Sequence, residues 1–193
     1  MMQHKEVEFK YFAKDIPLTA FVNFCSAFKG NPPKYLEASG YDYFFDKADD
    51  QDGFYRIRIG HDLRQLTYKH KTKETNNYVR DEHNLNFAAD MTKEYIEGYV
   101  KSLGYEYNTK LFKNCFIYLY DTFTLVYYIC YDEDMHELGR FVEIEMKEEH
   151  EWGTEQAAWG ELVVLEKLCR PLGISPQARV KRSLFEMFKK DKQ

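Results

Sequence analysis

The chain has 193 residues, of which 44% are hydrophobic and 31% charged, a composition that excludes a disordered protein and allows one domain with a sizeable core. Its formal net charge of −5 excludes a global basic field that recruits nucleic acid, so an anionic ligand would need a local basic site. No apolar run is long enough for a membrane span, and the N-terminus lacks the apolar core of a signal peptide. We therefore expect a cytoplasmic protein with no membrane partner, whose four cysteines stay reduced.

The alternation of apolar and polar residues, together with turn and capping residues, predicts twelve elements along the chain. In chain order these are strand 5–12, helix 17–29, strands 41–47, 53–60, 65–73 and 78–87, helix 91–103, strands 111–120, 122–131 and 140–148, helix 155–170, and a helix that begins at Ser175-Pro176 and carries Val180, Leu184, Met187 and Phe188 on one side. No linker divides the chain, so residues 1–193 are predicted to form one α+β domain dominated by an antiparallel sheet.

Five of the predicted strands carry a row of charged residues on one face. The rows are Glu6-x-Glu8-x-Lys10, Arg56-x-Arg58, Lys69-x-Lys71-x-Lys73, Arg80-x-Glu82-x-Asn84-x-Asn86 and Glu143-x-Glu145-x-Lys147. A solvated outer face is the ordinary explanation of one such row. Here the signs are sorted by strand, whereas solvated faces mix them, and the helices need the opposing apolar rows to pack on. We therefore predict that the charged rows face the interior of a closed eight-stranded barrel.

A charged interior predicts ligands, because buried ions without partners are costly. A polyanion would neutralise the lysine and arginine rows, and a hard divalent cation would neutralise the glutamate rows. Mg²⁺ or Mn²⁺ bridging phosphate oxygens would satisfy both at once. The residues alone thus predict a metal-assisted site for a polyphosphate or a nucleoside triphosphate.

The order of these motifs resembles the CYTH superfamily, the triphosphate tunnel metalloenzymes. Glu6-x-Glu8-x-Lys10 is similar to the N-terminal signature of that family, and "FYRIR", "LTYKHK", "VRDEHN", Lys113 and "LGRFVEIEM" follow in the family's order. The resemblance covers nearly the whole chain. It implies an α+β fold in which an eight-stranded antiparallel β-barrel, the tunnel, has helices packed outside it.

The resemblance also implies roles for individual residues. The implied metal ligands are Glu6, Glu8, Glu143, Glu145 and Asp132, with Asp134 as the alternative to Asp132. The implied triphosphate-binding residues are Lys10, Arg56, Arg58, Lys69, Lys71, Arg80, Lys113 and Arg182, with Lys181 as the alternative to Arg182. Glu8, Lys10 and Lys69 are the implied catalytic residues, Glu82 is expected to orient a neighbouring cation, and the implied cofactor is Mg²⁺ or Mn²⁺.

These assignments predict a metal-dependent hydrolase of a small-molecule triphosphate: inorganic tripolyphosphate, thiamine triphosphate or a nucleoside triphosphate. A class IV-type adenylate cyclase, which converts ATP to cyclic AMP and pyrophosphate, is the first alternative, because the same cations would support it. Hydrolysis is favoured because no stretch clearly supplies an adenine-reading pocket. A non-catalytic polyphosphate- or nucleotide-binding module is the second alternative, against which the complete carboxylate set argues. Nucleic acid is not an expected substrate, except for 5′-triphosphate RNA, which stays an alternative. A homodimer is implied by the family resemblance alone.

Overall fold

The computed structural model describes residues 2–28, 33–71, 79–147 and 154–190, without the side chains of residues 2–5, 51–52, 71, 79–80 and 155. The strands are β1 (Met2–Phe12), β2 (Lys34–Lys47), β3 (Asp50–Gly60), β4 (Arg64–Lys71), β5 (Val79–Phe87), β6 (Glu106–Leu119), β7 (Phe123–Tyr131) and β8 (Glu137–Met146). The helices are α1 (Leu18–Ala27), α2 (Lys93–Ser102), α3 (Glu155–Leu168) and α4 (Leu184–Phe188), with 3₁₀ turns at Arg170–Leu172 and Pro176–Ala178. Among the described residues, no helix combines the length and the apolar character needed to cross a membrane.

The eight strands form a closed antiparallel barrel in the order β1-β5-β4-β3-β2-β6-β7-β8. β1 closes the barrel, because residues 2–7 pair with β5 and residues 8–12 pair with β8. The predicted α+β barrel is therefore confirmed. β2 and β6 begin several residues before their predicted starts, because they pair with each other along a ladder that runs from Lys34↔Leu119 to Asp46↔Glu106.

Three helices cover the apolar outer face of the barrel. α1 and α3 share one core with the outer rows of β1, β7 and β8, in which Phe9, Leu125 and Ile144 are fully buried. α2 buries Ile96 and Val100 against the outer rows of β2, β3 and β4. The apolar rows are thus covered by helices, which leaves the charged rows to face the lumen.

The C-terminal segment does not form the continuous fourth helix that the sequence predicted. A 3₁₀ turn at Pro176–Ala178 is followed by an extended stretch and then by the five-residue helix α4. The extended stretch joins the barrel, because the N–H of Val180 donates to the carbonyl of Lys10 at 2.7 Å and Arg179 forms a β-bridge with Tyr11. Pairing with β1 therefore replaces the helical hydrogen bonds that the periodicity had suggested.

Helix α4 lines the cavity of the barrel, whereas α1, α2 and α3 cover its outer face. Leu184 and Phe185 line the lumen. The ring of Phe185 stacks on Phe44 of β2 at 5.6 Å between centroids and contacts Phe54 of β3 at 4.8 Å. Two inward-facing phenylalanines therefore give the apolar residues of α4 a place to pack at the cavity.

A buried ion pair holds the C-terminal segment to α3. Glu166, which is 1% exposed, accepts hydrogen bonds from Arg179 at 2.7 and 2.6 Å and from the hydroxyl of Tyr11 at 2.6 Å. Burial would raise the pKa of Glu166, but the hydrogen bonds from Arg179 and Tyr11 outweigh it and lower that pKa. Arg179 also lies 3.7 Å from the centroid of the Phe9 ring. These contacts place the segment that leads into α4.

We expect Glu166→Gln to lower the free energy of unfolding by about 3 kcal/mol at pH 7, because Arg179 then stays largely buried without its counterion. The folded pKa is depressed, so the pair stabilises the protein above the unfolded pKa of about 4.3, and this stabilisation is lost as the pH falls through the folded pKa. Urea unfolding at several pH values should therefore show that the difference in free energy of unfolding between the wild type and the Glu166→Gln protein becomes smaller in acid.

Glu161→Gln is the matched control for this change, because Glu161 is an exposed carboxylate on the same helix. It should alter the free energy of unfolding by less than about 0.5 kcal/mol. Equal stability of the Glu166→Gln protein and the wild type at pH 7 would show that the pair does not stabilise this segment.

Candidate functional site

The lumen of the barrel contains a cavity of about 440 Å³ that side chains from all eight strands line. Among the described residues, its charged lining consists of five cations, Lys10, Arg56, Arg58, Lys69 and Lys113, and six carboxylates, Glu6, Glu8, Asp42, Glu82, Glu143 and Glu145. The charged rows therefore face inward, as the alternation of charged and apolar residues along the strands predicted. This one cavity brings most of the predicted site residues together.

Two lysines lie between the glutamates. Lys10 Nζ is 3.1 Å from an oxygen of Glu8 and 3.1 Å from an oxygen of Glu143. Lys69 Nζ is 2.9 Å from both oxygens of Glu6 and also pairs with Glu82.

The second of these lysines stays protonated although it is only 7% exposed. Burial would lower the pKa of Lys69, but the charges of Glu6 and Glu82 outweigh it and raise that pKa. The contact with Glu82 also agrees with the expectation that this glutamate orients a neighbouring cation.

The glutamates of β1 and β8 crowd one another. Glu8 stands opposite Glu145 in the register of these two strands. Burial and the charges of Glu143 and Glu6 raise the pKa of Glu8, against the opposing effect of Lys10. Burial and the surrounding glutamates raise the pKa of Glu145 well above its usual range. Among the described side chains, the glutamates of β1 and β8 therefore disfavour one another's charged form.

Glu143 differs from these two glutamates in its partners. Tyr128 of β7 donates its hydroxyl hydrogen to Glu143 at 2.8 Å. Burial would raise the pKa of Glu143, but Lys10, Lys113 and this hydrogen bond outweigh it and lower that pKa. Sequence reasoning had not singled out Tyr128, because its strand carries no charged row.

Asp42 of β2 is a second site residue that the sequence pattern did not reveal. It is 1% exposed and accepts two hydrogen bonds from Arg58, from Nε at 2.7 Å and from Nη2 at 2.8 Å. Lys113 Nζ lies 3.4 Å from Oδ2, the oxygen that also accepts from Nη2 of Arg58. Burial would raise the pKa of Asp42, but the charges of Arg58 and Lys113 hold it well below its usual range. The available signal was a lone carboxylate within the aromatic strand "YDYFF".

Among the described residues, Arg56 has no carboxylate partner of the kind that Arg58 has. It is 9% exposed, and its Nη2 donates to Thr67 at 3.0 Å and to Gln65 at 3.4 Å, both uncharged groups. Its Nε is buried and has no hydrogen-bond partner among the described residues. A buried polar group of this kind in a native protein calls for an unseen partner, such as an ion or a water molecule.

The structure places Asp132 outside the cavity. It lies in the turn between β7 and β8, where its carboxylate accepts hydrogen bonds from the backbone N–H of Asp134 at 2.9 Å and of His136 at 2.8 Å. Asp134 is exposed in the same turn and does not line the cavity either. The fold therefore does not bring either aspartate to the four glutamates.

Three predicted cations are not seen in the cavity lining. Arg182 is exposed and does not line it, although the next residue, Ser183, does. The side chains of Lys71 and Arg80 lie outside the described residues, and their backbones pair with each other across β4 and β5. Their roles stay predictions.

Two apolar patches complete the lining. One surrounds α4 and consists of Phe44, Phe54, Leu184 and Phe185. The other consists of Ile117, Leu119 and Val126 on β6 and β7. Val126 stands opposite Glu143 in the register of β7 and β8, so the second patch adjoins the glutamates.

No three His, Cys, Asp or Glu side chains of the residues that the structure describes are placed so that together they could hold a metal ion. The four glutamates of β1 and β8 offer oxygen donors, but they do not converge on one point.

Comparison with known proteins identifies the fold. No family model matches the chain, and no curated protein matches it. Among solved structures, a candidate adenylate cyclase from Vibrio parahaemolyticus is 17% identical with a TM-score of 0.70, over 97% of this chain and 98% of that one. A conserved hypothetical protein from Pyrococcus furiosus is 22% identical with a TM-score of 0.68, over 95% and 99% of the two chains. A chain in the Schizosaccharomyces pombe Mediator head module is 13% identical with a TM-score of 0.60, over 89% and 95%. These likenesses show a shared fold alone.

Proposed function

We propose that this protein is a metal-dependent triphosphatase of the CYTH type, which binds its triphosphate inside the barrel. The observation that carries the proposal is the set of five inward cations, in which Arg56 is buried and takes part in no ion pair of the described residues. A buried cation without an anionic partner is costly, so the cavity is suited to accept an anion. The fold by itself does not imply catalysis, so the proposal rests on the residues of the cavity.

The cations would bind and orient the phosphates. They stand on β1, β3, β4 and β6, so they surround the lumen instead of forming one flat patch. Catalysis of phosphoryl transfer depends mainly on such positioning and on cations that stabilise the charge of the transferred group. Lys10 would also orient Glu8 through their 3.1 Å contact. Glu8 would accept the proton of the attacking water at a carboxylate oxygen.

The glutamates of β1 and β8 fit a hard divalent cation by their chemistry. Glu6, Glu8, Glu143 and Glu145 offer only oxygen donors, which Mg²⁺ and Mn²⁺ prefer. Their mutual crowding would be relieved by a positive ion. No three of these four side chains converge in the structure, so they would have to move together to hold the ion, which when bound would neutralise charge on the phosphate oxygens.

A class IV-type adenylate cyclase is the second candidate, and one observation favours it. The apolar patch of Ile117, Leu119 and Val126 adjoins Glu143 and offers a surface on which a base could pack beside the charged groups. The fold shared with the candidate cyclase from Vibrio parahaemolyticus agrees with this alternative.

An assay panel on the purified protein tests the proposal. Tripolyphosphate, ATP, thiamine triphosphate and 5′-triphosphate RNA are supplied with Mg²⁺ or Mn²⁺, and orthophosphate, pyrophosphate and cyclic AMP are measured. Orthophosphate that disappears when the metal is chelated is the expected result. Cyclic AMP with pyrophosphate would replace the hydrolase by the cyclase. Tripolyphosphate binding without any product would favour a non-catalytic binding module.

A further inference from the structure

We propose that Asp42 is a positioning residue that fixes Arg58 and Lys113 for anion binding, although it carries the same sign of charge as the anion. The inference rests on the proposed function, because it concerns how the cavity holds a triphosphate. Asp42 would strengthen the binding of a polyphosphate by setting where the two cations point.

The contact between Asp42 and Arg58 has the form of a fork. Nε of Arg58 lies 2.7 Å from one carboxylate oxygen and Nη2 lies 2.8 Å from the other. Two parallel hydrogen bonds fix the plane of a guanidinium as well as its distance. They use two of its five N–H donors, which leaves three for another anion.

The exposure of the two side chains shows which one faces the open part of the cavity. The side chain of Asp42 is 2% exposed, whereas that of Arg58 is 28% exposed. Asp42 therefore lies deeper in the wall of the cavity than Arg58, and Arg58 reaches toward the space that a ligand would fill.

Asp42 also joins cations from two different strands. It stands directly opposite Arg58 in the register of β2 and β3. On its other side, β6 places Lys113 opposite Gly40, one diagonal step from Asp42. Lys113 is held within 3.4 Å of Asp42 and over the ring of Tyr128 at 4.9 Å. Without the carboxylate, two like charges would face each other and would favour separate positions.

A simple counter-charge and a positioning residue predict opposite results for the same substitution. Asp42→Asn keeps the shape of the side chain and adds one unit of positive charge to the cavity. If Asp42 only balances charge, the variant should bind a polyanion more tightly. If Asp42 positions the two cations, the variant should bind more weakly, because the amide cannot accept the fork.

The test measures the binding of tripolyphosphate by titration calorimetry in the absence of divalent metal, so that it does not depend on turnover. We expect Asp42→Asn to weaken binding about ten- to hundredfold, the range that misplaced binding groups produce. Unchanged or tighter binding by a folded Asp42→Asn protein would overturn the proposal.

A second background separates positioning from a general structural role. In a protein that carries Arg58→Ala and Lys113→Ala, and that circular dichroism shows to be folded, Asp42 has neither of the two cations left to position. Adding Asp42→Asn there should no longer weaken binding, and the removed negative charge should tighten it. An equal loss in both backgrounds would mean that Asp42 acts only through the fold, which would also overturn the proposal.

A third variant covers the case in which circular dichroism shows that Asp42→Asn does not fold. Arg58→Lys keeps the charge and Asp42 but removes the fork. Positioning predicts weaker tripolyphosphate binding for this variant, and wild-type affinity would overturn it. A wild-type protein that binds no triphosphate would overturn the proposed function itself, whereas a binding wild type with a tighter-binding variant overturns only the role of Asp42.

Discussion

Replacing Glu145 by glutamine is expected to reduce metal-dependent turnover by about a hundredfold or more, while raising the thermal stability of the protein. Glutamine keeps the shape of the side chain and removes a charge that burial and the neighbouring Glu6, Glu8 and Glu143 make unfavourable. A site that holds crowded carboxylates for a metal is stabilised when one of them is neutralised. For a chain of this length, each kcal/mol gained corresponds to a rise in Tm of about 2–4 °C.

Glu143→Gln gives the matched comparison two residues away on the same strand. Glu143 faces Lys10 at 3.1 Å and accepts a hydrogen bond from Tyr128 at 2.8 Å, so its charge is favourable where it lies. This variant should also lose turnover, but its Tm should fall. Orthophosphate release from tripolyphosphate and thermal unfolding of both variants check the pair of expectations.

Glu137→Gln, an exposed residue at the start of β8, controls for the loss of one carboxylate outside the cavity. Wild-type rates in the Glu145→Gln protein would contradict the metal assignment. A lower Tm for that protein would contradict the crowding of the glutamates.

The barrel itself was predictable because the alternation of side chains and the sorting of charges point the same way. Glu6 and Glu8 could face inward only if other strands supplied opposite charges to the same space, and Arg56, Arg58 and Lys69 do so. Side chains alternate between the two faces of a strand, so the sequence alone shows which residues share a face. The orientation of the charged rows therefore followed without knowledge of the strand order.

Features that depend on long-range register were not predictable in this way. Asp42 belongs to a strand without a charged row, and only the pairing of β2 with β3 and β6 brings Arg58 and Lys113 to it. The position of α4 depends on Phe44 and Phe54 facing the lumen. The sequence did not predict this orientation, because an apolar side chain can face either side of a strand. The order of the motifs suggested Asp132 as a metal ligand, but its turn directs the carboxylate to backbone N–H groups of the same turn.

Arg56→Ala should weaken tripolyphosphate binding by about 1.5–3 kcal/mol, a factor of about 10 to 150, without lowering the free energy of unfolding. Among the described residues, Arg56 donates to the uncharged Thr67 and Gln65 and forms no ion pair, so its removal deprives none of the described carboxylates of a hydrogen-bonded cation. Removal of Arg58 would instead leave Asp42 buried without its main partner, a change expected to destabilise the fold. A cation whose loss weakens binding but not the fold is held in the cavity for its ligand.

Calorimetric titration and urea unfolding measure the two quantities for Arg56→Ala. Arg140→Ala is the control, because it removes one positive charge from a partly exposed pair with Glu137 outside the cavity. Its affinity for tripolyphosphate should stay within about threefold of the wild type, since an exposed charge at a distance is screened by salt. Wild-type affinity in the Arg56→Ala protein would mean that this guanidinium, which forms no ion pair among the described residues, does not mark the anion site, and the main support for a triphosphate inside the barrel would be lost.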